Sequence, residues 1–160
     1  MKKIFLVLIA ASLFVMCKSS KSSASKTDSP KEVAEVRYRD DFRSAKASEK
    51  KAVLSELKAS DAKYSVLIFT QNFKGEKVTA SNAKKQLYSG YVISDPKTGI
   101  ADKTRIDNSV DTKVYDDATK RELIIEAKEA KKAKFIYLMK NPGGETPFIV
   151  TYSNTLRPLK

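Results

Sequence analysis

From Tyr64 onward, apolar side chains recur at every second position within short runs separated by Gly, Pro, Asn and Asp, a period that belongs to β-strands. "YSVLIFTQ" is the strongest run. Val66 and Ile68 fall on one face and Leu67 and Phe69 on the other, which predicts a central strand buried on both sides. "NFKGEK" supplies a Gly-containing turn and "KVTAS" a shorter returning strand. "KQLYSGYVI" sets Leu87, Tyr91 and Ile93 against Tyr88 and Val92. "SDPKTG" reads as a turn, because proline presets one dihedral and Gly99 accepts a positive one. "TRIDN" and "TKVYD" are half-buried strand candidates. "KFIYLMK" and "PFIVTYSN", joined by "NPGGET", predict a terminal hairpin. Phe135, Tyr137 and Met139 share one face of its first strand, and Phe148, Val150 and Tyr152 share one face of its second.

Before Tyr64 the period changes. "EKKAVLSELKA" at 49–59 places Val53, Leu54 and Leu57 in one helical stripe, with Ser48 as N-cap and Glu49 at the positive helix end. Residues 118–133 support two readings. Thr119 and Glu122 match a capping box and "EAKEAKKAK" favours a helix, whereas "LIIE" is β-branched and bounded by turns. A strand at 122–126 followed by a short helical connection at 127–132 is the reading adopted. About eight short strands at this spacing predict a mainly β fold, a β-sandwich with an immunoglobulin-like version possible in principle, plus one short N-terminal helix. A helix spanning 118–133 would instead give an α+β fold.

The first residues follow neither period. Lys2 and Lys3 precede an apolar or small-residue run from Ile4 to Met16, 13 residues long. That is short of the ~20 residues a membrane-spanning helix needs and matches the core of an export signal. Cys17, the sole cysteine, closes the run, and "KSSKSSASKTDSPKE" follows with six serines and no aromatic residue. Ser-rich charged composition of this kind cannot bury a core and reads as a linker.

This layout of two lysines, an apolar run, a lone cysteine and a polar tail resembles the signal of bacterial lipoproteins over residues 1–17, with Phe14 at minus three and Met16 at minus one to the cysteine. The resemblance implies cleavage before Cys17, palmitate-type acylation of Cys17, and a place on the outer membrane facing the periplasm. It divides the chain into a signal peptide at 1–16, a lipidated N-terminus and flexible tether at 17–47, and one globular β-rich domain at 48–160. Several acyl chains together anchor firmly where a single one holds marginally. "VAEVRYRDDFR" at 33–43, with Val33, Val36, Tyr38 and Phe42 as possible contacts, falls at the end of the tether in this division.

Composition narrows the chemistry. With no histidine and one cysteine, Ser-His-Asp and Cys-His nucleophilic systems and the common zinc ligand sets are excluded. Lys and Arg outnumber Asp and Glu by 31 to 19, a net +12, so the surface favours acidic partners. Two aspartates interrupt the arginine and aromatic interleaving at 37–43, and no nucleic acid is expected. Ser81 and Lys84 with Lys97, Thr98 and Gly99 mimic the S-x-x-K and K-T-G elements of serine β-lactamases, but S-D-N is missing and K-T-G fits a turn. Asp95, Asp102, Asp107, Asp111, Asp116 and Asp117 gather in loops without the D-x-[DN]-x-[DN]-G order of a calcium loop. Gly143 and Gly144 form a candidate anion nest, and Tyr64, Tyr88, Tyr91, Tyr137 and Tyr152 a candidate glycan or peptide surface, but a hairpin loop needs such glycines anyway and alternating strands place most of these tyrosines in the core or a half-buried sheet, which is the reading adopted. No catalytic, cofactor or metal residue is assigned.

The expectation is therefore a lipid-anchored envelope protein with a non-enzymatic binding or structural domain. It would meet the membrane through its N-terminal lipid and an acidic envelope component or protein partner through its surface. The rivals are a carboxylate-dependent hydrolase pairing Glu122 or Glu126 with an aspartate, and an accessory subunit whose sheet edge receives a partner strand.

Overall fold

The computed structural model describes residues 33–159. Cys17, the signal segment and the linker as far as residue 32 lie outside the described residues. The chain runs β1 (Ala34–Tyr38), α1 (Ala47–Glu56), β2 (Tyr64–Phe69), β3 (Lys74–Asn82), β4 (Gln86–Ile93), β5 (Asp102–Asp107), β6 (Thr112–Asp116), β7 (Arg121–Ile125), α2 (Ala127–Ala130), β8 (Phe135–Lys140) and β9 (Phe148–Ser153). Two sheets pack face to face, one ordered β1-β9-β8-β2-β5 and the other β4-β3-β6-β7, so the mainly β sandwich is realised. The second sheet is antiparallel throughout. The first is mixed, with β1 parallel to β9 and β2 parallel to β8, which is not the arrangement of antiparallel sheets in an immunoglobulin domain.

The parallel pair β2–β8 explains the sequence of both strands. Parallel strands at the centre of a sheet are covered on both faces and read as continuous apolar runs. Leu67, Phe69, Ile136 and Leu138 point into the sandwich, where Val78, Ala80, Val92, Val114, Leu123 and Ile125 of the second sheet meet them. Val66, Ile68, Phe135 and Tyr137 point the other way, against Val53 and Leu54 of α1, Leu57 at its C-cap, Leu156 and Phe42. The predicted stripe of α1 thus covers the back of the first sheet. In the hairpin, Phe148, Val150 and Tyr152 join the sandwich face, opposite to Phe135 and Tyr137.

Three boundaries differ from expectation, each for a local reason, while at 118–133 the adopted strand followed by a short helical connection is what forms. The folded body begins at β1 rather than at residue 48. β1 adds to β9, Tyr38 stacks on Tyr152 with ring centroids 5.4 Å apart, and Asp40 accepts hydrogen bonds from the Ser153 hydroxyl (2.8 Å) and the Asn154 amide (2.6 Å). Helix α1 starts at Ala47 with Lys46 in the cap position, so Ser48 lies inside the helix and caps nothing. The helix at 118–133 is not formed. Thr119 instead donates to Asp116 within a turn (2.9 Å), and Leu123 and Ile125 alternate into the core on β7 before the single turn of α2. β3 is the longest strand rather than a short return, because Gly75, at φ 104°, sits at a register shift between Lys74 and Glu76 and lets the strand continue past it.

Candidate binding cleft

Helix α1 closes with two backbone bonds, from Lys58 N–H to Ser55 C=O (3.0 Å) and from Ala59 N–H to Leu54 C=O (2.8 Å). This is the Schellman arrangement, which needs a left-handed residue after the last helical one and usually recruits glycine. Here Lys58 takes it at φ 50°. A lysine in that region costs ~1–2 kcal/mol relative to its right-handed state, strain of the kind that gathers at working sites.

Lys58 stands at the rim of a cleft of about 360 Å³, bounded by the end of α1, the β3–β4 turn and the last half of β5. Leu57, Tyr64 and Leu87 form its half-buried apolar walls, and the buried Thr104 closes it on the β5 side. Arg105 lies over the Tyr64 ring, 4.3 Å from its centroid, and donates to the Lys58 carbonyl (2.9 Å), so the guanidinium is held in place from two directions. The β3–β4 turn is set by Asn82, whose side-chain oxygen accepts from the amides of Lys84 (2.9 Å) and Lys85 (3.0 Å) and so projects both lysines from one turn.

The cleft's charges do not cancel. Lys84 pairs with Asp107 (2.9 Å), and Lys103 pairs with Glu56 from outside (3.3 Å). The Ser109 side chain and amide and Lys84 all bond Asp107, holding its carboxyl well below the usual range and permanently charged. Among the described residues, Lys58, Lys85 and Arg105 form no salt bridge. Three cations therefore stand around a cleft of mixed polar and apolar lining, a geometry suited to an anionic ligand that also carries some apolar surface. A larger groove of about 800 Å³ runs along α1, but there Arg43, Lys46 and Lys103 face Glu49, Glu56 and Asp102, and Glu49 already accepts the Leu159 amide (2.8 Å).

The six loop aspartates do not converge. Asp95 accepts from the amides of Lys97 and Thr98 (2.8 Å each), which makes K-T-G part of an Asp-initiated turn. Asp102 accepts from the Tyr88 hydroxyl (2.7 Å), Asp111 from the Ala127 amide (2.8 Å) and Asp117 from Lys120 (2.9 Å). Among the described residues no three acidic or cysteine side chains are grouped to hold a metal ion. Glu122 and Glu126 sit on the surface paired with Lys113 (3.0 Å) and Lys128 (2.7 Å) rather than with an aspartate. The Gly144 amide of the candidate nest is spent on the Asn141 carbonyl (3.2 Å). The five tyrosines do not form one surface either. Tyr137 and Tyr152 pack in the interior, where burial pushes the Tyr137 hydroxyl up to about 12, Tyr88 is half-buried against the core, Tyr64 lines the cleft and Tyr91 projects from β4.

One charged cluster escaped the sequence reading. Lys140 continues the interior face of Ile136 and Leu138 and is nearly buried, with its ammonium 2.8 Å from both Glu76 and Asp116. Asp116 is 1% exposed and also accepts from Ala118 N–H and the Thr119 hydroxyl. Burial pushes the Glu76 carboxyl up, but its bonds from Lys140 and from the Lys74 amide outweigh this and leave it lowered. Lys140 is likewise raised despite burial, by its two carboxylates. Glu76 and Lys140 thus hold each other in their charged forms. The signal in the sequence was a lysine at the next interior step of a core strand, which demands a counter-charge that only the fold identifies. No known protein family and no curated protein matches the chain.

Proposed function

We propose that the chain is a lipid-anchored envelope lipoprotein whose folded body binds an acidic component of that envelope without catalysis. Its anchor is Cys17 and its contact surface is the cleft of Lys58, Lys85 and Arg105. The observation that carries the binding role is the convergence on one cleft of three cations without carboxylate partners, from the end of α1, the β3–β4 turn and β5, beside the apolar side chains of Leu57, Tyr64 and Leu87. The anchor rests on the lipoprotein-like layout of residues 1–17, and the outer membrane facing the periplasm is the matching location.

Mass spectrometry of the mature N-terminus should find an acylated Cys17, and Cys17→Ser should release the protein from membranes. An unmodified N-terminus beyond residue 17 would refute the anchor. The released full chain should bind isolated envelope fractions at 0.1 M salt and lose that binding near 1 M, where screening shortens from about 10 Å to about 3 Å. Lys58→Gln, Lys85→Gln and Arg105→Gln together should weaken binding about tenfold, since each exposed charge contributes up to ~1 kcal/mol. Hydrolysis of an envelope glycan abolished by Glu122→Gln or Glu126→Gln would establish the carboxylate reading instead.

A further inference from the structure

Among the described residues strand β4 is an edge: it spans eight residues and pairs only with β3. Native proteins shield such edges with charges, proline or short length. The other edges follow the rule: β1 carries Glu35 and Arg37 in five residues, β7 carries Arg121 and Glu122 in five, and β5 has Asp102, Lys103, Arg105 and Asp107. "QLYSGYVI" has no charge and no proline in a chain that is 31% charged. It also bears the two most exposed large hydrophobic side chains among the described residues, Tyr91 at 75% and Ile93 at 66%.

The surroundings of β4 specify what fits it. Across the β3–β4 ladder, Lys77 stands opposite Tyr91 and Lys74 opposite Ile93, and among the described residues neither lysine forms a salt bridge. At its Gln86 end the edge opens into the basic cleft, which Gln86 and Leu87 help to line. Between β4 and β5 the sandwich is joined by side chains, the Thr104 hydroxyl donating to the Leu87 carbonyl (3.4 Å) and the Tyr88 hydroxyl to Asp102 (2.7 Å), and no backbone bond joins β4 to β5 among the described residues.

We propose that β4 receives an extended acidic segment of a protein partner as a fifth strand of the second sheet. The segment runs antiparallel to β4 from Ile93 towards Gln86. Its backbone pairs with Ser89–Ile93, its apolar side chains cover Tyr91 and Ile93, and its C-terminal carboxylates enter the cleft of Lys58, Lys85 and Arg105. Main-chain bonds then supply affinity and the flanking lysines supply selection for acidic sequence. This rests in part on the cleft reading above, and the test separates the two.

The probe is a fluorescent ten-residue peptide of alternating valine and threonine ending in three aspartates, titrated into the full chain carrying Cys17→Ser. A second copy of the peptide, N-methylated at alternate residues on the pairing side, keeps every side chain and charge but cannot extend a ladder. The expected result is saturable binding with amide shifts along Ser89–Ile93, a loss of tenfold or more on N-methylation, and a similar loss in the doubly substituted Tyr91→Ser, Ile93→Ser protein. Lys58→Gln, Lys85→Gln and Arg105→Gln together should weaken binding and flatten its salt dependence while the β4 shifts persist. If that triple variant binds unchanged, the cleft reading fails and the edge reading stands. Equal affinity of the N-methylated peptide, or shifts confined to the cleft, would overturn the edge reading. So would a concentration-dependent dimer abolished by Tyr91→Ser and Ile93→Ser, which would mean that a second copy occupies β4.

Discussion

Replacing Lys140 with methionine keeps most of the side-chain volume and removes one charge from a nearly closed site. In the native protein the ammonium lies 2.8 Å from both Glu76 and Asp116, and the side-chain exposures of the three are 11, 16 and 1%. Removing one partner of a buried ion pair costs about 3–5 kcal/mol, because the remaining charge is left in a poor solvent. Here two carboxylates are left together. Asp116 keeps its bonds from Ala118 and Thr119 and Glu76 keeps that from the Lys74 amide, which places the expected loss at about 4 kcal/mol at pH 7. For a body of this size that corresponds to a fall in Tm of roughly 10–15 °C.

The sign of the pH dependence separates charge from packing. The Glu76 carboxyl is lowered in the folded state, so its contribution is fully present above the ordinary glutamate range and disappears as pH falls through the folded value. Lys140 is raised, so its contribution is present below the ordinary lysine range and disappears only as pH rises through its folded value. In Lys140→Met the orphaned Glu76 carboxyl takes up a proton more readily than in the native protein. The deficit should therefore be largest near neutrality and shrink towards pH 4. Urea melts of the two proteins from pH 4 to pH 8 measure this directly. A deficit below about 1 kcal/mol, or one independent of pH, would show that Lys140 contributes through its aliphatic stem and that the ion cluster is not what holds the β3–β6–β8 corner.

Three further outcomes follow from the same contacts. Lys58→Gly should relieve the left-handed strain and raise stability by about 0.5–1 kcal/mol after the entropy of glycine is subtracted, visible as a rise in Tm of ~2 °C, while weakening salt-sensitive envelope binding; a lower Tm would mean that Lys58 supports the fold rather than the cleft. Ser65→Ala should cost about 1–3 kcal/mol in chemical denaturation, because the buried hydroxyl donates to Ala133 (2.6 Å) and Ala130 (3.0 Å) carbonyls and accepts from Asn108 (2.9 Å); a neutral result would mean that water replaces it. Limited trypsin digestion should leave a core that begins within 31–34 and retains Arg37, Arg39 and Arg43, since Arg39 N–H bonds the Tyr152 carbonyl (3.1 Å) and Ala45 N–H the Leu156 carbonyl (2.7 Å); early cleavage after Arg39 or Arg43 would return that segment to the tether.

What the sequence revealed and what it hid divide by the range of the forces involved. β2, the β8–β9 hairpin and the stripe of α1 were legible because burial on a regular element imposes a period on consecutive residues. β1 was not, because an edge strand buries little: only Ala34 of its five residues is buried, and its partner β9 lies more than a hundred residues away. Lys140 obeys the period of its strand and violates its polarity, so pattern alone could mark it as odd without naming Glu76 or Asp116. The cleft is further from legibility. Lys58, Lys85 and Arg105 come from a helix end, a hairpin turn and a strand, each ordinary in its own setting. They converge because β2 and β5 pair side by side in the first sheet while the β3–β4 turn of the second sheet ends beside them. Net charge is a property of composition, and composition gave +12 without a location. On the surface many lysines are answered by a carboxylate two or three residues away, as in Lys120 with Asp117, Lys128 with Glu126 and Lys132 with Glu129. The cations of the cleft have no such local answer, and three of them converge on one cavity from distant parts of the chain; that convergence is the physical reason to look for their counter-charge on another molecule.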